Sequence, residues 1–432
     1  MQKKIALILA MTAVAALSQN IARNATYEDM PAVELSNDKL QLTVLTTGSS
    51  IASVVLADDP NKLNPLWNPI RLSREQGRGT TNFNHMIGHF VCIDGFGNPS
   101  ADERKVGLVM HGEGYVTKYS VASSREGSTS NLTMNSVLPV VQENFTRTYH
   151  MVDGENVIYV DSTLESLLGF DRPVAWAEHM TFSSPFLEAG KVTFFLSGTR
   201  SQNRDYAAEA AEAGRGGPGA GRAGAGGGPG AGRGGAGGGS GAGRGGAPGG
   251  SGGGGRMMRR LVSGADFTWP MAPGLDGTLI DLSQLPDNPH YLDHSTTLLD
   301  TTRKLEWVAA LHSTRHLVYG YVFRREDYPW VQHWGNFPSP TSLVRAFEIG
   351  TQPYDLPRRT VYDKGPMFGN PVWRWLPAKS TIDSHFILFF AHVPDGFNKV
   401  DDVKLENGRI SIEDHTANKT VVLAASRGIP VE

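Results

Sequence analysis

The 432-residue chain is predicted to be all-β, a large antiparallel sandwich or barrel. Runs of six to nine residues rich in Val, Leu, Ile, Thr, Phe and Tyr recur along it, punctuated by Gly, Asn and Pro. Helical periodicity of useful length is nearly absent. Apolar residues make up 40 % and charged residues 19 %, with 8 Trp, 12 Tyr and 18 Phe. That is enough apolar surface for a large core, and it excludes wholesale disorder. No internal repeat is visible, which argues against a propeller.

The elements follow in chain order. Lys3 and Lys4 precede an apolar run over residues 5–17, and Ala16 and Ser18 are small. This reads as a signal peptide, residues 1–18, with cleavage after Ser18. The run is too short for a comfortable membrane span, although an uncleaved anchor is the competing reading. The expected product is an exported soluble protein, secreted or periplasmic, with no membrane association after cleavage.

Residues 39–45 alternate with period two, residues 46–50 form a turn cluster, and residues 51–57 return, which makes a hairpin. Strands are expected next at 108–110, 115–122, 132–138, 143–151, 157–166, 176–182 and 191–197. Residues 214–255 are of low complexity, with Gly at 26 of 42 positions. Such a stretch cannot offset the entropy of ordering and is expected to be a flexible, disordered tether or loop. Its arginines allow the alternative of a segment that binds anionic polymer. Strands resume at 305–310, 317–324, 342–350 and 384–392.

The net charge of −3 hides an asymmetry. Nine of the 40 basic residues and none of the 43 acidic ones lie in 1–18 and 214–260, leaving 31 against 43, a body of −12. A body of that sign argues against a nucleic acid partner. Cys92 is the sole cysteine, so no internal disulfide is possible. Its apolar neighbours favour a buried inert thiol over a nucleophile.

Four segments place polar and aromatic residues inside apolar surroundings. Around Gly88-His89-Phe90-Val91-Cys92-Ile93-Asp94, the His85/His89 spacing would suit a metal only on a helix, and the context is strand and loop, so no metal site is expected. His111, in His111-Gly112-Glu113-Gly114, either faces a cleft or bonds within its loop. In Trp176–Phe182 (residues 176–182), alternation puts His179 on a face with Ala177 and Thr181, opposite Glu178. There His179 suits either a cleft floor or a satisfied structural role. Trp330 and Trp334 offer faces for sugar rings. Glu348 lies between Phe347 and Ile349, where apolar surroundings would raise its pKa and make it a base near neutral pH, unless it pairs with Arg345.

In this order the four segments resemble the galactose mutarotase-like, or aldose 1-epimerase, superfamily. Asn64-Pro65-Leu66-Trp67 is similar to that family's continuation of its first hairpin. The similarity spans roughly residues 33–200 and 300–400, and implies one β-supersandwich domain over residues 19–432, interrupted by the 214–255 insert. It implies that Glu348, in Phe347-Glu348-Ile349-Gly350-Thr351-Gln352-Pro353-Tyr354-Asp355, is the general base. His179, in Glu178-His179-Met180-Thr181-Phe182, matches the general acid, and His111 the histidine that orients the sugar. The family's substrate-binding arginine is replaced here, so His89 or Asp94 is expected to take its place beside Trp334. Asp276 or Asp293 would stand for its substrate-binding aspartate.

The resemblance implies a protein that interconverts sugar anomers by ring opening, without a cofactor, on a small sugar or glycan, and the signal-peptide reading makes it an exported one. The alternative is a non-catalytic carbohydrate-binding protein on the same fold, accessory to polysaccharide degradation. A lyase or hydrolase would need a second carboxylate beside Glu348, for which Glu178 is the candidate.

Overall fold

The computed structural model describes residues 21–75, 77, 86–206, 208, 209 and 257–431. The expected signal peptide, His85 and the 214–255 stretch lie outside the described residues. Two antiparallel sheets form the body, one of thirteen strands and one of eight. The main core lies between them, where Val91, Met180, Phe182 and Phe347 of the larger sheet meet Phe145, Phe194, Tyr319 and Phe390 of the smaller. Phe182 and Tyr319 meet edge to face across this layer, 5.4 Å between centroids. A three-stranded sheet near the C-terminus covers the outer face of the smaller sheet, packing Val403, Ile410 and Ile412 on Val318, Val322 and Phe389.

Strand patterns follow this layering. Thr129–Leu138 and Glu143–Val152 alternate in burial, as strands with one covered face should. Trp176–Ser183, Leu317–Arg324 and Ser342–Gly350 are buried at every position because both faces are covered. Most expected strands are present within a residue or two. Residues 108–110 instead form part of a looped segment that turns at His111 and Gly112, both with positive φ. The strand expected at 115–122 starts only at Ser120, because Val116 and Thr117 fold back to bond the Glu113 carbonyl.

The order of the larger sheet positions the site. Its middle runs His89–Ile93, Trp176–Ser183, Ser342–Gly350, Trp330–Ser339, Tyr291–Leu299, then Gly198–Asn203. Gly198–Asn203 pairs with Tyr291–Leu299 on one side and with Asp266–Thr268 on the other. The chain on either side of residues 210–256 therefore belongs to one sheet. No helix among the described residues is long and apolar enough to cross a membrane.

Candidate active site

Strand register assembles the site. Phe90, His179, Glu348, Gln332 and Thr296 stand in one row across five neighbouring strands. The next row on the same face holds Thr181, Ala346, Trp334 and His294. A cavity of about 270 Å³ opens over these rows, near the lower limit for small-molecule sites. Trp67, Met86, Phe90, Met110, Met257 and Trp334 line its apolar side. His111, His179, His294, Glu348 and Asp355 line its polar side.

His179 and Glu348 are direct cross-strand partners, with Nε2 and Oε1 3.2 Å apart. The other ring nitrogen of His179 lies 2.8 Å from the Thr181 hydroxyl, and Phe90 stacks on the ring at 4.4 Å. Both orientation and height of the imidazole are thereby set. Burial raises the Glu348 carboxyl pKa well above its ordinary value, and the nearby Asp355 charge adds to this. Burial, then the neighbouring His111, pushes His179 well below the usual histidine value. The proton they share can sit on either group without a change in net charge.

His111 is clamped to Gly97. Its backbone N–H donates to the Gly97 carbonyl at 2.9 Å, and its Nδ1 accepts from the Gly97 N–H at 3.2 Å. The ring proton is then on Nε2, free to donate to a ligand oxygen. Its ring meets His179 edge to face at 5.3 Å. Across the cavity, Arg204 donates to Asp355 Oδ2 at 2.6 Å and to His294 Nδ1 at 2.9 Å. His294 Nε2 then donates to Gln332 Oε1, 2.9 Å away. Burial and the Arg204 charge push His294 down to about 4, so it is neutral at ordinary pH. Burial alone would raise Asp355, but Arg204 outweighs it and holds the carboxylate ionised. Trp67 and Trp334 sit 6.3 Å apart on the apolar side and offer ring faces.

The structure thus brings Glu348, His179, His111 and Trp334 of the sequence expectation to one cavity. It does not bring His89 or Asp94 there. His89 stands opposite Met180, on the core face of the sheet, and Phe90 takes the cavity position. Its ring nitrogens meet Glu178 Oε2 at 2.8 Å and the Tyr321 hydroxyl at 3.2 Å. Asp94 is fully buried away from the cavity, claimed by Arg172, by Arg358 at 3.1 Å and by the Ala175 N–H. Neither carboxylate nor ring is left for a ligand.

Glu178 also faces the core, where it bonds Arg147, Trp176 and Tyr328, so it cannot be the second carboxylate of a hydrolase. Asp293 is held by Arg260 at 2.6 Å, and Asp276 caps an exposed turn at Thr278. Cys92 is buried, and burial pushes its thiol up. Among the described residues no group of three His, Cys, Asp or Glu is arranged to hold a metal.

Asp355, His294 and Trp67 were missed. Asp355 and Trp67 close two of the motifs quoted above, so the signal was present. His294 had none, since Leu292-Asp293-His294-Ser295-Thr296 shows no alternation of apolar and polar residues.

The architecture has solved counterparts. A candidate aldose 1-epimerase from Klebsiella pneumoniae superposes with a TM-score of 0.53 at 13 % identity, over 85 % of this chain and 82 % of that one. The chain has the galactose mutarotase-like fold. A galactose mutarotase related enzyme from Lactobacillus acidophilus matches 87 % of this chain and all of its own, at 12 % identity and TM-score 0.49. A galactose mutarotase-like protein from Lactobacillus casei covers 83 % and 100 %, at 13 % identity and TM-score 0.48. No family model matches the sequence, and no curated protein matches it.

Proposed function

We propose that this galactose mutarotase-like protein is an exported aldose 1-epimerase, interconverting the anomers of a small sugar. The observation that carries the reading is the buried His179–Glu348 pair, 3.2 Å apart on the floor of a cavity walled by two tryptophans. In the ionised form of the pair, Glu348 takes the proton of the anomeric hydroxyl while His179 delivers one to the ring oxygen. The ring opens, C1 rotates, and the reverse transfers close it on the other face. His111 Nε2 supplies a donor and Asp355 an acceptor for hydroxyls, and Trp67 and Trp334 cover the apolar ring face. Each group acts in both directions, so no cofactor is required. The signal-peptide reading of residues 1–18 supports export.

Magnetisation-exchange NMR between α and β anomers tests this on a panel of hexoses, pentoses and uronic acids. Acceleration over the spontaneous rate that disappears in Glu348→Gln supports the epimerase. Tryptophan quenching by a sugar with no acceleration would instead establish the binding protein accessory to polysaccharide degradation, which the Trp67/Trp334 wall alone would serve.

A further inference from the structure

We infer that the core face of the strand that carries Glu348 holds a small monovalent anion, bound by Arg345. Arg345 is completely buried. Its Nη2 donates to the Leu282 carbonyl at 2.5 Å, but Nε and Nη1 have no partner among the described residues. The guanidinium lies over the Phe194 ring, 5.4 Å from its centroid. A guanidinium cannot shed its charge by deprotonating at ordinary pH: burial pushes Arg345 down only to about 10. A buried charge of this kind demands a counter-charge.

The charges of Asp293 and Asp281 are felt at Arg345, but neither carboxylate bonds it. In the sheet register, Arg345 stands beside Gly335 and Gly335 beside Asp293. The Phe337 ring covers Gly335, so closely that a β-carbon there would lie 2.5 Å from Cζ. Beyond it, Asp293 is gripped by Arg260 through Nη2–Oδ2 at 2.6 Å and Nε–Oδ1 at 3.0 Å. Asp281 is engaged with the Ser283 N–H and hydroxyl. Neither carboxylate therefore bonds Arg345 Nε or Nη1, and a small monovalent anion satisfies both.

The neighbours of Arg345 are donors. His333 and Ser295 face each other across the adjoining strands, one step along the same face from Arg345. His333 Nδ1 and Ser295 Oγ are buried and without partners, and His333 feels the Arg345 charge. His333 is held by Trp269, stacked at 4.3 Å, and by Thr297 at Nε2. Guanidinium N–H groups, an imidazole N–H and a hydroxyl, bordered by aromatic rings, suit a halide rather than a cation. The site lies on the opposite side of the sheet from the sugar cavity and is independent of the function proposed there.

Bromide is the probe. Thermal unfolding is followed in increasing bromide at constant ionic strength, with gluconate as the inert balance, and bromide-soaked crystals are measured at the bromine edge. The wild-type midpoint is expected to rise by about one to two degrees per tenfold bromide above the dissociation constant. Anomalous density is expected against Arg345 Nε and Nη1. Arg345→Met should remove both effects, and Ser295→Ala, a milder change, should weaken the bromide dependence if Arg345→Met does not fold. A wild-type midpoint indifferent to bromide, with no bromine density at Arg345, overturns the inference and leaves water as the partner of these groups.

Discussion

A β-carbon on Gly97 would lie 1.3 Å from Asp355 Oδ1, and Gly97 holds a φ of +81°. Only glycine fits this contact, by space and by backbone conformation. The same residue clamps His111, so one glycine seats two polar groups of the cavity. Gly97→Ala must displace Asp355 from Arg204 and loosen His111. Unfolding free energy is expected to fall by about 1–3 kcal/mol, and anomer exchange by about a hundredfold through misplacement of the site. Urea unfolding and NMR exchange measure the two, and wild-type values for both would show that Asp355 has no part in the site.

Glu348→Gln keeps the shape of the side chain and removes its basicity. Anomer exchange is expected to fall by about 10²–10⁴-fold, with sugar affinity, read by tryptophan quenching, changed only severalfold. His179→Gln should behave alike, and the double variant should lose little more than either single one, because the two act as a unit. Loss of binding in step with activity would mark Glu348 as a structural residue.

The pH profile follows from the opposite shifts of the pair. Glu348 is raised from 4.5 and His179 lowered from 6.5, so over the neutral range the pair holds one proton. Neutral carboxyl with neutral imidazole, and carboxylate with imidazolium, contain the same number of protons, so pH does not shift the balance between them. Activity should be flat from about pH 6 to 8, falling on the acid side as the pair gains a second proton and on the alkaline side as it loses its last. A rate that climbs tenfold per pH unit through neutrality would contradict a shared proton.

The same shifts set a stability signature. A carboxyl whose folded pKa is raised contributes stability below its unfolded value, and that contribution is lost as pH rises toward the folded value. Glu348→Gln should therefore gain midpoint over wild type as pH rises from 5 to 8. An equal difference at both pH values would show that Glu348 titrates normally.

Charge also sets the sugar class. The described lining of the cavity contains no lysine or arginine, and Arg204 at its edge is committed to Asp355 and Glu209. A uronate carboxylate would meet Glu348 and Asp355 with no cation to balance it. Neutral hexoses or pentoses should be turned over at least about tenfold better than the matching uronic acids, the equivalent of 1.4 kcal/mol or more. Equal rates on both would require a cation from outside the described lining.

Alternation and strand length were enough to read the all-β class, because each depends only on neighbours along the chain. His179, Glu348 and Trp334 were legible in the same way, as polar or aromatic side chains set among apolar ones, and motif order linked them to His111. The start of the strand expected at residues 115–122 was misjudged because the Glu113 carbonyl captures Val116 and Thr117 before a strand can start.

What local pattern could not decide was which face met which. His89 and Phe90 are adjacent in the chain, yet one completes the core beside Glu178 and the other stacks on His179 in the cavity. A one-residue change of register would exchange them. Asp94 looked available until Arg172 and Arg358, far along the chain, claimed it. The sequence by itself determined the strands and the chemistry they could carry. The pairing of residues 90, 179, 348, 332 and 296 into one row was decided only by the tertiary structure, because cross-strand register is set by packing among segments up to 169 residues apart.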